Sequence, residues 1–384
     1  MNKNVLGLVM LLFVISAHAQ LEQKYGKKDL TKETVKEAAS EVKARWMEDM
    51  RKKYAVVWKQ LNIQHDTCNL YCAVRNFGPA PADGRCLFIS MHGGGKAPEE
   101  INNQQWMNQI YLYEPLEGVY VAPRAPWNDS DMWHKQGLDE LFEDLIRACV
   151  VFEGVNPDKV YLLGYSAGGD GVWRMAPRMA DRWAAASMMA GHPGNASQVN
   201  LRNLPYMIWM GEHDSAYNRN SLAVEKGAVL DSLQKQDPDG YIHETHIMKG
   251  MGHWMEQADT AAISWMAKYR RNPYPERIVW RQEEVIRPYF YWLSAPKEEL
   301  AHGKTLIVER KNNDIYIETC DYSGCTLYLN DEMVDLDRPV TVYYKGKKIF
   351  RKKLKRSLAM LQSSVYERGD YRYMFPAEIK IVLK

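Results

Sequence analysis

The fold of this chain is constrained most by one short segment, GYSAGG at positions 164–169. It directly follows the apolar run Val160–Leu163 and precedes a helix-like stretch over 170–179. Small residues on both sides of Ser166 allow a tight, strained turn that larger side chains would block. The sequence therefore predicts a strand that turns sharply into a helix, with the serine hydroxyl exposed above the sheet edge at the helix N-terminus.

Two later strand-like runs end in residues that can serve this serine. Pro205–Met210 leads to Asp214, and Ile242–Met248 leads to a glycine-containing loop that carries His253. A serine hydroxyl is a poor nucleophile at neutral pH, so a histidine must accept its proton and a carboxylate must hold the imidazole tautomer. The chain order Ser166, Asp214, His253 is the order that this turn motif requires. We therefore expect nucleophile, acid and base at these positions, with Glu212 and Asp170 as weaker candidates for the acid.

A glycine run upstream supplies the remaining part of such a site. The strand-like segment Leu87–Met91 runs into HGGG at positions 92–95. A tetrahedral intermediate needs backbone N–H donors aimed at its oxyanion. We expect one donor from Ala167 and the other from Gly93 or Gly94.

These motifs resemble the α/β-hydrolase superfamily from about Cys68 to Tyr269. The stretch 156–175 is similar to the secreted esterase branch, which includes polyhydroxybutyrate-depolymerase-like, feruloyl-esterase-like and dienelactone-hydrolase-like proteins. The resemblance implies an α/β fold, with an eight-stranded, mostly parallel sheet covered by helices on both faces. It also carries the roles of nucleophile, acid and base over to Ser166, Asp214 and His253.

The resemblance favours one function over two rivals. The expected function is a secreted serine hydrolase that cleaves carboxylic esters through an acyl-enzyme, with acetyl or feruloyl esters on glycans as substrates. The first rival is a serine peptidase of the prolyl-oligopeptidase-like branch, which often has an aromatic residue where this chain has Ala167. The second rival is a non-catalytic glycan-binding relic. Hormone-sensitive-lipase-like esterases are disfavoured because they usually have an aspartate where this chain has Tyr165.

Composition shifts divide the chain into four segments. Residues 1–19 have a short apolar core and an Ala17-His18-Ala19 cleavage pattern, so they predict a signal peptide cleaved after Ala19 and a secreted or periplasmic protein. Residues 20–62 predict a helical segment, residues 63–272 the catalytic domain, and residues 273–384 a small β-rich C-terminal domain. No later stretch is apolar enough to predict a membrane span.

The charge balance limits the partners. A formal net charge of +2 argues against nucleic acid as a partner. The segment Lys345–Arg356 holds eight basic residues in twelve. We expect it to be the solvated face of a hairpin, and the more specific alternative is a contact with an anionic polysaccharide.

The proposed chemistry predicts no cofactor and no metal, because the spacing of His243 and His246 is not that of helical zinc ligands.

Several residues near the predicted strand ends are candidate substrate contacts. They are His192, Trp127, Trp133 and Trp254. The indole rings offer flat apolar faces on which a sugar or phenolic ring can stack. Each of them is equally compatible with ordinary packing or, for His192, with a structural loop histidine.

Six cysteines are compatible with disulfides in an exported protein. One pair is expected among Cys68, Cys72 and Cys86, and a second pair between Cys320 and Cys325. Free thiols throughout remain the alternative. Cys149 is expected to be a buried free thiol.

Overall fold

The computed structural model describes residues 21–26 and 29–383. The predicted signal peptide, residues 1–19, lies outside the described residues. No helix in the described part of the chain is both long and apolar enough to span a bilayer.

A central sheet of eight strands positions the residues of interest. The strands are β1 (Asn62–His65), β2 (Cys68–Phe77), β3 (Arg85–Met91), β4 (Gly118–Pro123), β5 (Val155–Tyr165), β6 (Ala185–Met189), β7 (Tyr206–Gly211) and β8 (His243–Met248). Their order in the sheet is β1-β2-β4-β3-β5-β6-β7-β8, with β1 and β2 antiparallel to their neighbours and the other strands mutually parallel. The carboxyl ends of the parallel strands therefore meet at one edge, where a shared site can form.

Helices cover both faces of this sheet, as predicted. Alternate residues of β3 enter two separate apolar clusters, Leu87 and Ile89 in one and Phe88 in the other. Strands buried on both faces read as continuous apolar runs, which explains the strand signals in the sequence. The helices associated with the sheet are α1 (Lys32–Lys59), α2 (Glu99–Gln109), α3 (Leu138–Phe152), α4 (Ala167–Arg178), α5 (Arg219–Gln236) and α6 (Ala261–Met266).

Most of the N-terminal segment is one long helix, α1, that packs beside the sheet, and residues 21–25 are also helical. Thr31 caps it, because its side chain accepts a hydrogen bond from the Thr34 amide. Val35, Val42 and Trp46 lie on its buried face at the helical spacing that the sequence predicts.

The C-terminal segment is β-rich. Its strands are β9 (Arg277–Arg281), β10 (Tyr289–Phe290), β11 (Leu293–Ser294), β12 (Thr305–Lys311), β13 (Asp314–Cys320), β14 (Gly324–Leu329), β15 (Val340–Tyr344), β16 (Lys347–Lys352) and β17 (Ala377–Val382). They form two sheets, of strand order β10-β11-β14-β17 and β16-β15-β13-β12-β9, and a helix, α7 (Leu358–Arg368), accompanies them. Buried hydroxyls join this segment to the loop after α4, since Tyr291 donates to the Ala180 carbonyl and Tyr373 donates to the Asp181 carbonyl.

A buried cluster of charges strengthens this junction. The carboxylate of Glu143 on α3 accepts from Arg182 at 2.7 Å, from Arg287 at 2.8 Å and from Arg147 at 3.1 Å. Burial alone would raise the pKa of Glu143, but the three guanidinium groups hold it well below its usual range. The C-terminal segment therefore contributes a cation, Arg287, that pairs with a carboxylate on α3 beside the central sheet.

We expect Glu143→Gln to destabilise the whole protein, because three buried or half-buried guanidinium groups lose their shared carboxylate. Breaking such a buried network costs about 3–5 kcal/mol in free energy of unfolding. As a control, Glu318→Gln removes a partly exposed partner of Arg277 and should cost about 1 kcal/mol or less. Urea denaturation at neutral pH measures both, and equal midpoints for the two variants would contradict the prediction.

The pH dependence of this stabilisation follows from the lowered pKa. The folded-state pKa of Glu143 lies below its unfolded value, which is about 4.3. The stabilisation is therefore fully present above the unfolded pKa and is lost as the pH falls toward the folded one. The difference between wild type and Glu143→Gln should shrink in acid.

The expected disulfides are not present, and all six cysteines are free thiols. Cys72 and Cys86 belong to apolar clusters on opposite faces of the sheet, so their side chains point apart. Cys320 and Cys325 bracket a turn and interact as thiols; this contact lowers the pKa of Cys320. The prediction for Cys149 is confirmed, since its thiol is buried and free.

Candidate active site

Ser166 occupies a strained turn between β5 and α4. Its backbone has φ 56° and ψ −121°, a region that residues with side chains rarely adopt. The turn needs small neighbours, because a Cβ at Gly168 would come 2.0 Å from the carbonyl oxygen of Met91 on β3. Close packing of α4 against the strand end thus explains why glycine follows the serine by two positions.

The structure brings Ser166, His253 and Asp214 together, although they are far apart in the chain. The Nε2 atom of His253 lies 2.9 Å from the Ser166 Oγ. Its Nδ1 atom lies 2.7 Å from the Asp214 Oδ2. The Asp214 side chain is only 2% exposed, so its charge is poorly screened and favours the Nδ1-protonated tautomer. That tautomer leaves Nε2 free to accept the serine proton.

Two side chains that the sequence analysis missed position this arrangement. The Tyr165 hydroxyl donates to the His253 carbonyl at 2.7 Å and accepts from the Met255 amide at 3.1 Å. Arg219 lies 3.4 Å from the other oxygen of Asp214. The sequence offered only a weak signal for Tyr165, its place next to the serine, and none for Arg219.

The glycine loop after β3 has an unusual backbone that side chains hold in place. Gly94 and Gly95 have φ values of 114° and 123°, which favour glycine. Buried Asn102 accepts from the Gly95 amide at 2.9 Å and donates to the Gly95 carbonyl at 3.0 Å. Within the described ranges, the amides of Gly93 and Gly94 donate to no acceptor, so they remain available to a ligand.

His92 fixes the start of this loop as a neutral side chain. Its Nε2 accepts from the Ala125 amide at 3.1 Å, so its Nδ1 carries the proton and donates to the Gly93 carbonyl at 2.6 Å. Burial lowers the pKa of His92 to about 3. The histidine is thus an uncharged support for the loop.

The expectation that Trp133 contacts substrate is wrong. Its side chain is fully buried, at 0% exposure, and its indole nitrogen donates to the His92 carbonyl at 2.9 Å. Trp133 therefore stabilises the glycine loop from the protein interior through this hydrogen bond.

A cavity of about 570 Å³ opens above Ser166. Trp254, which is 51% exposed, forms one side of it and stays a candidate substrate contact. The lining residues are Gly93, Gly94, Ile101, Gln105, Asn108, Gln109, Leu112, Tyr165, Ser166, His253 and Trp254. Among the residues that the structure describes, no aspartate, glutamate, lysine or arginine belongs to this lining, so the cavity suits an uncharged ligand.

The other two substrate candidates lie outside this cavity. The His192 amide donates to the Asp170 carboxylate at 2.6 Å, and its Nδ1 accepts from the Gly194 amide at 3.0 Å. Trp127 lines a different cavity, beside Arg124. Both expectations of contact in the cavity above Ser166 are therefore corrected.

The two weaker candidates for the acid bind backbone groups of nearby loops. Asp170 holds the His192 loop, and burial raises its pKa. Glu212 accepts from the Gly250 amide at 2.8 Å, in the loop that carries His253.

Comparison with known proteins gives one curated relative. No protein-family model matches the sequence. A putative esterase, NocK from Nocardia uniformis subsp. tsuyamanensis, is 26% identical over 151 residues, which cover 35% of this chain and 42% of that protein. The chain therefore spans less than half the length of this relative.

Several solved structures are similar to part of the chain. A thermostable esterase has 16% identity and a TM-score of 0.43, with 53% of this chain and 60% of that chain covered. LpqC, a poly(3-hydroxybutyrate) depolymerase from Bordetella parapertussis, has 16% identity and a TM-score of 0.40, over 53% and 86%. An acetyl xylan esterase from Aspergillus awamori has 12% identity and a TM-score of 0.36, over 53% and 94%.

The fold itself is established by the topology described above. The sheet has the predicted eight strands, most of them parallel, with helices on both faces. The strand, serine and helix of the predicted turn lie at β5, Ser166 and α4. This chain has the α/β-hydrolase fold.

Proposed function

We propose that the protein is a serine hydrolase that cleaves carboxylic esters through an acyl-enzyme. The observation that supports this most is the continuous hydrogen-bonded series from Ser166 through His253 to Asp214, at the floor of an open cavity. The same three residue types in this geometry perform nucleophilic catalysis on several unrelated folds.

In the proposed reaction, the Ser166 oxygen attacks the ester carbonyl carbon while its proton moves to the Nε2 of His253. The negative charge that forms on the carbonyl oxygen is stabilised by backbone amides of Ala167 and of Gly93 or Gly94. Ala167 is the first residue of α4, so its amide has no acceptor within the helix. The bond to the alcohol then breaks, and the alcohol leaves with the proton from His253.

Water completes the cycle by the same route. His253 takes a proton from the water, whose oxygen attacks the acyl carbon bound to Ser166. The bond to the serine oxygen breaks, the serine regains its proton, and the carboxylic acid is released. Asp214 stabilises the imidazolium in both halves of the reaction.

The chemistry of the cavity favours an ester over a peptide. A peptidase of this fold that recognises a charged peptide terminus needs a charged side chain in its cavity, and the lining above Ser166 has none. Exposed Trp254 instead offers an apolar surface. We propose acetyl or feruloyl esters on glycans as the substrates, and secretion on the basis of residues 1–19.

The experiment that tests this function compares two substrate classes. Purified protein without residues 1–19 is assayed against short aryl esters, acetylated and feruloylated oligosaccharides, and chromogenic peptides. We expect turnover of the esters and of at least one glycan ester, with no turnover of the peptides. Preferred cleavage of peptides would support the peptidase instead, and inactivity on every substrate would support the glycan-binding relic.

The hairpin of β15 and β16 is a second candidate site for an anionic polysaccharide. Its basic residues from Lys345 to Lys353 are exposed, but Arg356 is not available, because it is buried between Asp331 and Asp337. Lys352 and Lys353 are the residues whose neutralisation tests this contact, in the binding experiment below.

A further inference from the structure

A second cavity, of about 550 Å³, lies on the other side of α2 from Ser166 and contains a buried cation. Arg124 is only 7% exposed and follows β4 directly. Its guanidinium donates to the side-chain oxygens of Asn103 and Asn128 and to the Ala125 carbonyl. Among residues 21–26 and 29–383, no carboxylate oxygen lies within 4 Å of the Arg124 guanidinium, so Arg124 forms no ion pair in this part of the chain.

A guanidinium without a carboxylate in contact is costly at such a position, because the water that solvates its charge has been removed. Burial accordingly lowers the pKa of Arg124, with Glu99 as the carboxylate that partly offsets the shift. Glu99 is exposed at the edge of the same cavity. Arg182 and Arg271, which are buried to a similar degree, have carboxylate partners. Arg310 is also buried and has no carboxylate within 4 Å among the described residues, but it donates to backbone carbonyls. Arg124 differs from Arg182 and Arg271 in having an open cavity beside it in place of an anion.

The rest of the lining indicates what kind of anion fits. Trp106, Trp127 and Tyr71 also line the cavity, and the Tyr71 side chain is 51% exposed. Aromatic rings stack on the apolar faces of sugars. The amide nitrogens of Asn103 and Asn128 donate to no acceptor in the described part of the chain, so they can bind hydroxyls. Guanidinium, aromatic faces and carboxamides together match a sugar that carries a carboxylate.

Helix α2 separates this cavity from the one above Ser166 and belongs to both. Asn103 and Trp106 line the first cavity, while Gln105 and Asn108 line the second. A helix with its side chains is about 10–12 Å across. A ligand that reached both cavities would therefore be an oligosaccharide and not a single sugar.

We propose that the Arg124 cavity binds a uronic acid unit of an acidic glycan, at a distance from the ester that is cleaved above Ser166. The inference rests on the proposed function for the link to an ester, but the binding itself does not require turnover. A failure of glycan binding at the Arg124 cavity is therefore distinguishable from a failure of ester turnover at Ser166.

The test is a calorimetric titration of the purified protein with two matched ligands. One is an oligosaccharide with a single uronic acid unit, and the other is the same molecule with its carboxylate reduced to an alcohol. We expect at least tenfold tighter binding of the acid, and at least about a tenfold loss in Arg124→Gln. Glu99→Gln should bind the acid a few-fold more tightly, because it removes a like charge from the cavity edge.

The two variants are expected to change the affinity for the acidic oligosaccharide in opposite directions, so the test is decisive even if Arg124→Gln fails to fold. Glu99 is exposed, so its variant should fold, and unchanged or weaker binding by Glu99→Gln would overturn the proposal. Equal binding of the two oligosaccharides would also overturn it, as would acetate binding as tightly as the acidic oligosaccharide. Lys352→Gln/Lys353→Gln is the matched variant on the basic hairpin. Binding lost in that variant but kept in Arg124→Gln would assign the acidic glycan to the hairpin instead.

Discussion

Ser166→Ala should lower the turnover of any ester substrate by about a million-fold, the size of loss seen when the nucleophile of such a site is removed. The variant deletes the oxygen that lies 2.9 Å from the His253 Nε2. In the described part of the chain, the only other hydroxyl that lines the cavity is that of Tyr165. The Tyr165 hydroxyl is committed to the His253 carbonyl. Burial also raises its pKa, so it is a poor replacement for the serine.

Two measurements separate this effect from damage to the fold. A fluorophosphonate probe should label the wild-type protein and not Ser166→Ala, because only an activated serine reacts. Ser264→Ala, on the exposed side of α6, is the matched control and should keep both labelling and turnover. Ester turnover within a few-fold of wild type in Ser166→Ala, or labelling of that variant, would end the proposed mechanism.

Asp214→Asn should lower kcat by about ten-thousand-fold, as the equivalent change does in other enzymes of this type. The amide would donate to the His253 Nδ1 and so favour the tautomer with a proton on Nε2. A protonated Nε2 cannot accept the serine proton. Since Asp214 is buried and does not line the cavity, KM should change little.

Glu212→Gln is the matched control for this prediction. Glu212 is two residues from Asp214 and also carries a carboxylate, but it binds the Gly250 amide and not the imidazole. We expect its kcat to stay within a few-fold of wild type. The reverse pattern, with a large loss in Glu212→Gln and a small one in Asp214→Asn, would show that the acid is assigned to the wrong residue. Steady-state kinetics on one aryl ester distinguishes the two outcomes.

Much of the fold could be predicted because its signals are local. The strands of the central sheet are short apolar runs buried on both faces, and glycines mark the turns that follow them. The turn at Ser166 needs glycine at position 168, because a side chain there would clash with the Met91 carbonyl oxygen, and this glycine is part of the motif itself. The chain order of serine, acid and base then limits the candidates to a few residues.

The substrate contacts could not be predicted in the same way. Trp133 and Trp254 are both tryptophans in loops near strand ends, yet Trp133 is fully buried and Trp254 is half exposed. Which side of a loop faces the cavity depends on the packing of distant segments. The disulfide expectation failed for a related reason, since Cys72 and Cys86 are close in sequence but lie on opposite faces of the sheet.

The sequence by itself determined the strand–serine–helix turn and the order of the three candidate catalytic residues, because each depends on residue type and spacing along the chain. The eight-stranded sheet was implied by the resemblance that these motifs carry. Only the tertiary structure decided that the imidazole of His253 meets both its partners, that Tyr165 and Arg219 hold them, and that Arg124 lies unpaired beside a cavity. Those contacts join segments far apart in sequence. Their distances are set by how the sheet, helices and loops pack, which no local pattern records.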